Sequence, residues 1–313
     1  MYKIFDSTDS GIVRINEIKE GCWIAMTAPT AEELHTISEI CNIQIEDLRA
    51  ALDEEERSRI LVEDNYTLII VDIPTIEERN EKDWYVTIPL GVIVTDKQII
   101  TVCLEDTPIL SGLMNGRMKN FYTYKKTRFI LQILYRNSTL FLSYLRNIDK
   151  RSAAVEQKLH QAQKNRELIE LQELEKSLVY FTTSLKSNEL VLEKLFRLDK
   201  IKKYPEDEDL LEDVIVENKQ AIEMANIYSG ILSGTMGTFA SIISNNLNVS
   251  MKFLATVTIV LSIPTMVASF YGMNVSTAGM PFANSEWGFL IVIGFSVVLS
   301  LIVSIIFWKK NLF

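Results

Sequence analysis

The chain has 313 residues, 48% of them hydrophobic, and a formal net charge of −9. That length supports a soluble domain with its own core plus further elements. Setting aside Lys252, Lys309, Lys310 and Glu286 leaves 29 basic and 40 acidic residues ahead of Lys252, a balance that repels nucleic acid and attracts cations, or simply keeps the body soluble. Cys22, Cys41 and Cys103 are widely spaced, and only His35 and His160 accompany them. No transition-metal cage can be read from that spacing, and three free thiols fit a reducing compartment. An enzyme reading finds no glycine-rich phosphate loop and no nucleophile–histidine pairing. The opening MYKIFDSTDSG has no apolar core, so no signal peptide is expected.

Residues 1–125 are predicted to form a cytoplasmic α+β domain. AEELHTISEICN (31–42), opening after Pro29-Thr30, and EDLRAALDEEERSR (46–59) read as helices. TLIIVDIP (67–74), VTIPLGVIV (86–94) and QIITVCL (98–104) are β-branched apolar runs bounded by polar turns, the pattern of strands. A sheet with helices packed on it follows, its strand order left open. Across 126–204, apolar residues recur every three or four positions through two stretches without proline or glycine. These predict an antiparallel hairpin of two amphipathic helices turning near Gln163 to Glu167.

Pro205 followed by four consecutive acidic residues is a strong helix start. From there to Met273 the only proline is Pro264, so one helix of about 65 residues, roughly 100 Å long, is expected. Its cytoplasmic part, 205–252, is a stalk, and 253–273 is a first membrane span. Gly230, Gly234 and Gly237 each cost about 1 kcal/mol relative to alanine in such a helix. They suit either a hinge or a close approach of neighbouring stalks. A second span covers 288–308. Neither FLATVTIVLSIPTMVASFY (253–271) nor GFLIVIGFSVVLSLIVSIIFW (288–308) carries a charge, and each can cross a hydrocarbon core of roughly 30 Å. Lys252 precedes the first span, and the basic tail 309–313 holds Lys309 and Lys310. The loop 274–287 carries only Glu286. Both termini are therefore expected in the cytoplasm and the loop outside.

Along the first span, Asn248, Met251, Leu254, Thr258, Ser262, Thr265, Ser269 and Gly272 share one helical stripe, small and hydroxylic from Thr258 outward. Hydroxyls suit a water-filled path. Small residues also permit close helix packing, and spacing alone leaves both open.

The span closes on Tyr271-Gly272-Met273-Asn274. With Asn248-Val249-Ser250-Met251-Lys252 at its entry, Pro264-Thr265 within it and a lysine-ended second span, this resembles the CorA family of magnesium transport proteins. The resemblance is close over 205–313 and looser before, where Ile45-Glu46-Asp47-Leu48 matches a family phrase. It implies a homopentamer in the cell (inner) membrane, with five first spans lining a pore and the second spans outside. Divalent cations would enter down the membrane potential, chiefly Mg²⁺, with Co²⁺ or Ni²⁺ as secondary ions and no organic cofactor. Tyr271, Gly272, Met273 and Asn274 would form the selectivity filter. Mg²⁺ keeps its octahedral water shell reluctantly exchanged, so a ring of Asn274 carboxamides would bind it through those waters without trapping it. Gly272 would let the backbone leave the helix, and Tyr271 would either support the turn or sit as an interfacial aromatic.

Met251 and Leu254 map onto the family's hydrophobic constriction, with Asn248 below them. Asp213 matches one partner of a regulatory Mg²⁺ pair between subunits, its mate being Glu77 or Glu78. Two departures stand out: Phe282 follows Met280-Pro281 where the family has an acid, and Gly237 replaces a stalk carboxylate. Two other readings remain: Zn²⁺ transport, as in a related branch, and a sensor or scaffold merely tethered by its spans.

Overall fold

The computed structural model describes residues 1–8, 11–79, 82–115, 121–162, 165–198, 204–275, 279–282 and 285–310. Gln163 and Lys164 of the expected turn, and the Lys202-Lys203 end of the hairpin, lie outside the described residues. The chain divides into two compact units between Met236 and Gly237.

The first unit contains β1 (Tyr2–Thr8), β2 (Gly11–Ile15), β3 (Trp23–Thr27), α1 (Ala31–Cys41), α2 (Ile45–Ala50), β4 (Arg59–Val62), β5 (Tyr66–Arg79), β6 (Lys82–Thr95) and β7 (Ile99–Cys103). Then come α3 (Pro108–Met114), α4 (Lys126–Ala162), α5 (Asn165–Arg197), a 3₁₀ turn at Pro205–Asp207, and α6 (Glu208–Tyr271), which ends in the second unit with α7 (Gly288–Lys309). The expected α+β body, long helix and apolar C-terminal helix are all present. Seven strands form one sheet in the order β2-β1-β3-β7-β6-β5-β4. Among the described residues, only β3 and β7 pair in parallel.

Strand alternation divides the core. Ile69, Val71 and Ile73 of β5 join Phe129, Ile133, Leu192 and Leu195 of the long hairpin. Leu68 and Ile70 instead join Leu34, Ile37 and Leu48 of the short helices. Trp23 is fully buried among the rings of Phe5, Phe121 and Phe129. Its indole N–H donates to Thr101 at 2.9 Å, so the ring is buried without an unsatisfied donor.

Three expectations are corrected. The helix expected over 46–59 stops at Ala50, because the Asp53 carboxylate accepts the Glu55 N–H at 3.1 Å and turns the chain. Arg59–Val62 then pair with Thr67–Ile70 as β4. Strands β1 to β3 were not foreseen, nor was α3, which opens with Thr107 as N-cap and Pro108 in its first turn. The strand expected to end at Pro74 continues to Arg79. Beyond the Arg59–Ile70 pair, β4 no longer borders β5, so a proline there costs no ladder hydrogen bond.

At that open edge Asp72 meets α4 and α5. Its N–H donates to Asn188 Oδ1 at 2.9 Å, and its carbonyl accepts from Asn188 Nδ2 and Asn137 Nδ2, each at 2.8 Å. The Asp72 carboxyl is pushed up from its ordinary 3.8 by burial, against the lowering effect of hydrogen bonds from Ser184 and Ser58. A carboxyl with a raised folded pKa contributes most at low pH, and that contribution is lost as pH rises through the raised value. In thermal unfolding of the solubilised chain the contribution of Asp72 should therefore fall as pH climbs from 3.8, by about 1.4 kcal/mol for each pH unit separating folded and unfolded values, against the opposite contributions of Glu33 and Glu170, whose carboxyls are held low. Asp72→Asn should remove that slope.

Candidate functional site

Within the second unit, α6 is buried at Thr256 and half-buried at Val257, Val260, Ile263, Pro264 and Val267. A cavity of about 360 Å³ lies between Val267, Phe270 and Tyr271 of α6, Pro281 and Phe282, and Ile291, Val292 and Phe295 of α7. This is the side that α7 covers. Thr258, Ser262, Thr265 and Ser269 each stand two residues on from members of the covered stripe. At 3.6 residues per turn that is about 200° around the helix. All four are exposed, as are Asn248, Met251 and Leu254. The hydroxylic face thus points away from α7.

Three of those hydroxyls have their donors engaged. Thr258 donates to the Leu254 carbonyl at 2.8 Å, Ser262 to Ile259 at 2.7 Å, and Thr265 to Leu261 at 3.3 Å. Each oxygen keeps lone pairs on the open face, available to water or a cation. Pro264, which cannot donate to the Val260 carbonyl, lies inside α6 without ending it.

At the outer end, the Gly272 N–H still donates to the Ala268 carbonyl at 2.9 Å, and the Met273 N–H reaches Phe270 at 3.4 Å. Gly272 is not among the positive-φ residues, so the chain leaves the helix there without entering the left-handed region. A Cβ at Gly272 would sit 3.4 Å from the Ala268 carbonyl, an ordinary van der Waals distance. The Tyr271 hydroxyl donates to the Pro281 carbonyl at 2.9 Å, which favours its role as support for the turn. Met273 and Asn274 are exposed beyond it. Pro281 as this acceptor was missed by sequence reasoning, because only folding brings residues ten apart together.

The loop returns through Phe282, whose φ is +63°. A Cβ at Gly288, the first residue of α7, would stand 2.4 Å from the Phe282 carbonyl, so the loop closes onto α7 only with glycine there. Lys309 ends α7, and the Lys310 N–H caps the Ile306 carbonyl at 3.1 Å.

The carboxylates expected to regulate lie in the first unit. Asp213 is exposed on α6, Glu78 is exposed near the end of β5, and Glu77 pairs with the Arg79 guanidinium, its Nε at 2.7 Å. Among the described residues, no group of three His, Cys, Asp or Glu could hold a metal ion. Gly230, Gly234 and Gly237 would have nothing within 4 Å of an added Cβ. No close approach within the protomer therefore requires glycine at any of them.

Two helices are long and apolar enough to cross a membrane, with mean hydropathy 1.9 and 3.0. Both lie at the C-terminal end of an α+β body, which defines a class of membrane protein with one large soluble domain and two terminal spans. A family model described as CorA-like Mg²⁺ transporter protein matches residues 19–310, and the chain belongs to that family. It is 30% identical over 299 residues to the cobalt/magnesium transport protein CorA of Methanocaldococcus jannaschii, covering 92% of this chain and 90% of that one. The complete structure of the CorA magnesium transporter from the same organism aligns with a TM-score of 0.85 at 25% identity, over 99% and 98% of the two chains. The ZntB cytoplasmic domain from Vibrio parahaemolyticus aligns at 0.60 and 10% identity over 79% of this chain and 97% of its own, a likeness of fold alone.

The Gly288 contact can be tested directly. Gly288→Ala should lower the unfolding temperature of the detergent-solubilised protein, corresponding to about 1–3 kcal/mol of overpacking. Gly294→Ala, where an added Cβ meets nothing within 4 Å, should not lower it, since alanine is the better helix former.

Proposed function

We propose that this protein takes up divalent cations, chiefly Mg²⁺, down the membrane potential through a pore shared by several copies of the chain. The observation that carries this reading is the hydroxylic face of α6. It runs along the side that α7 leaves uncovered and leads to the exposed Asn274. A face built of Thr and Ser gains nothing against lipid, whereas several such faces around one axis would enclose a polar path. Family membership and the names of the relatives, cobalt/magnesium transport proteins, point the same way.

In this reading Tyr271 braces the outer turn, Gly272 and Met273 form it, and Asn274 carboxamides bind the hydrated ion. Met251 and Leu254 form a dewetting constriction above Asn248. The stalk, 205–252, couples that constriction to the soluble domain, and Asp213 with Glu77 or Glu78 of a neighbouring copy binds regulatory Mg²⁺. The small residues Gly230, Gly234 and Gly237 serve approach between stalks, their open Cβ positions being filled by a neighbour. Lys252, Lys309 and Lys310 keep both termini in the cytoplasm. No nucleotide is required, because a divalent ion gains about 4.6 kcal/mol in crossing 100 mV, inside negative.

Reconstitution in liposomes with an internal Mg²⁺ dye and an imposed potential tests the proposal. Wild type should show potential-driven flux, and Asn274→Ala should lose it. Equal flux in both would remove Asn274 from the mechanism. Zn²⁺ flux without Mg²⁺ flux would transfer the protein to a zinc function.

A further inference from the structure

Hydrophobic contact alone would hold α5 against the sheet without choosing a register, because burial is non-directional. Directional contacts at Asn188 supply that choice. Its one carboxamide accepts the Asp72 N–H at 2.9 Å and donates to the Asp72 carbonyl at 2.8 Å. These are the two bonds a peptide group of a further strand would make where β4 has stopped. Asn137 of α4 adds its own amide to the same carbonyl at 2.8 Å. The Ser58 hydroxyl, just ahead of β4, donates to Asn188 Oδ1 at 3.0 Å. Asn188 and Asn137 are each 2% exposed; the Asp72 N–H also donates to Ser58 Oγ at 3.2 Å, so loss of Asn188 would remove two of the four bonds that hold the Asp72 N–H and carbonyl to their surroundings.

The same helix grips α6. One turn before Asn188, the Leu185 carbonyl accepts from Asn218 Nδ2 of α6 at 3.4 Å, and Asn218 is also 2% exposed. Two to three turns earlier on α5, Glu175 accepts a hydrogen bond from Ser233 of α6. The 3₁₀ turn that starts α6 is tied to α4 by Arg128 and Asp207 at 2.7 Å. All of these contacts lie in the first unit.

We propose that α5 is a strut with Asn188 as its foot on the sheet edge and, as its head, the Leu185 carbonyl that Asn218 of α6 holds. The two asparagines are positioning residues that pass a shift of β5 to α6 as a change in register. A buried amide that moves must break both of its bonds at once, so the strut follows the sheet rather than slipping over it. Its effect on transport rests on the function proposed above, while its mechanical part does not.

The test uses the full chain in liposomes, as wild type, Asn188→Ala, Asn218→Ala and the double variant. Hydrogen exchange is followed over residues 66–75 and 211–222, and Mg²⁺ uptake is measured as Mg²⁺ on the soluble-domain side is raised. Asn188→Ala should speed exchange in both segments, and Asn218→Ala in 211–222 only. Each should shift the Mg²⁺ level that halves uptake by about two- to thirtyfold. The double variant should shift it no further than the larger single, since both break one serial link. Faster exchange in Asn188→Ala confined to 66–75 would make Asn188 a local clamp and overturn the proposal, as would additive shifts in the double variant. If Asn188→Ala does not fold, Asn218→Ala decides alone, and unchanged exchange over 211–222 sinks the strut. A wild type that moves no Mg²⁺ refutes the transport reading, and the exchange data then judge the strut separately.

Discussion

A single neighbouring helix can cover only one side of another. In the second unit α7 covers the stripe of α6 that includes Thr256, Val260, Ile263 and Val267, and the opposite face bears Thr258, Ser262, Thr265 and Ser269. Inside a bilayer every backbone group must be bonded within the protein, and α6 meets this by remaining helical through Pro264 to Tyr271. The hydroxyls of Thr258, Ser262 and Thr265 obey the same rule by donating to carbonyls three or four residues back. What remains on that face is acceptor oxygen, which lipid cannot use and hydrated cations can. The reading of this chain as a cation pore depends on that asymmetry between covered and uncovered sides.

The soluble body solves a different problem of incomplete cover. β5 and β6 are paired over fourteen residues each, whereas β4 borders β5 for only four. The uncovered edge would expose backbone donors and acceptors to further pairing. Pro74 removes one donor there, and side-chain amides from two helices satisfy the groups of Asp72. Farther out, Lys82 near the hairpin tip pairs with Glu170 at 3.0 Å, and Arg151 donates to the Asp83 carbonyl at 2.7 Å. The helical layer is therefore joined to the sheet by polar bonds at its edge as well as by the apolar cluster around Phe129.

Much of this was readable before folding, and the exceptions share a cause. Strong local period marked both spans, α4, α5 and the long α6, because a helix or span is specified by residues near one another in the chain. β1, β2, β3 and β4 escaped notice. They are short, and β4 follows an acid-rich stretch whose propensity favours helix. Its strand character comes from pairing with Thr67–Ile70. Asn188 falls four residues before Leu192 and seven after Phe181, both buried, so its place on a core stripe was visible as spacing. Nothing local said that a backbone edge waited opposite it. The Tyr271–Pro281 bond was hidden for the same reason.

By itself, then, the order of residues determined the two apolar spans, the amphipathic hairpin, the hydroxylic stripe and the acidic balance of the soluble part, all properties of local period and composition. Tertiary structure alone decided the strand order, the open edge at Asp72 and the side of α6 left bare by α7. Those features depend on which distant segments meet, and the energy of such meetings is not carried by any short stretch of chain.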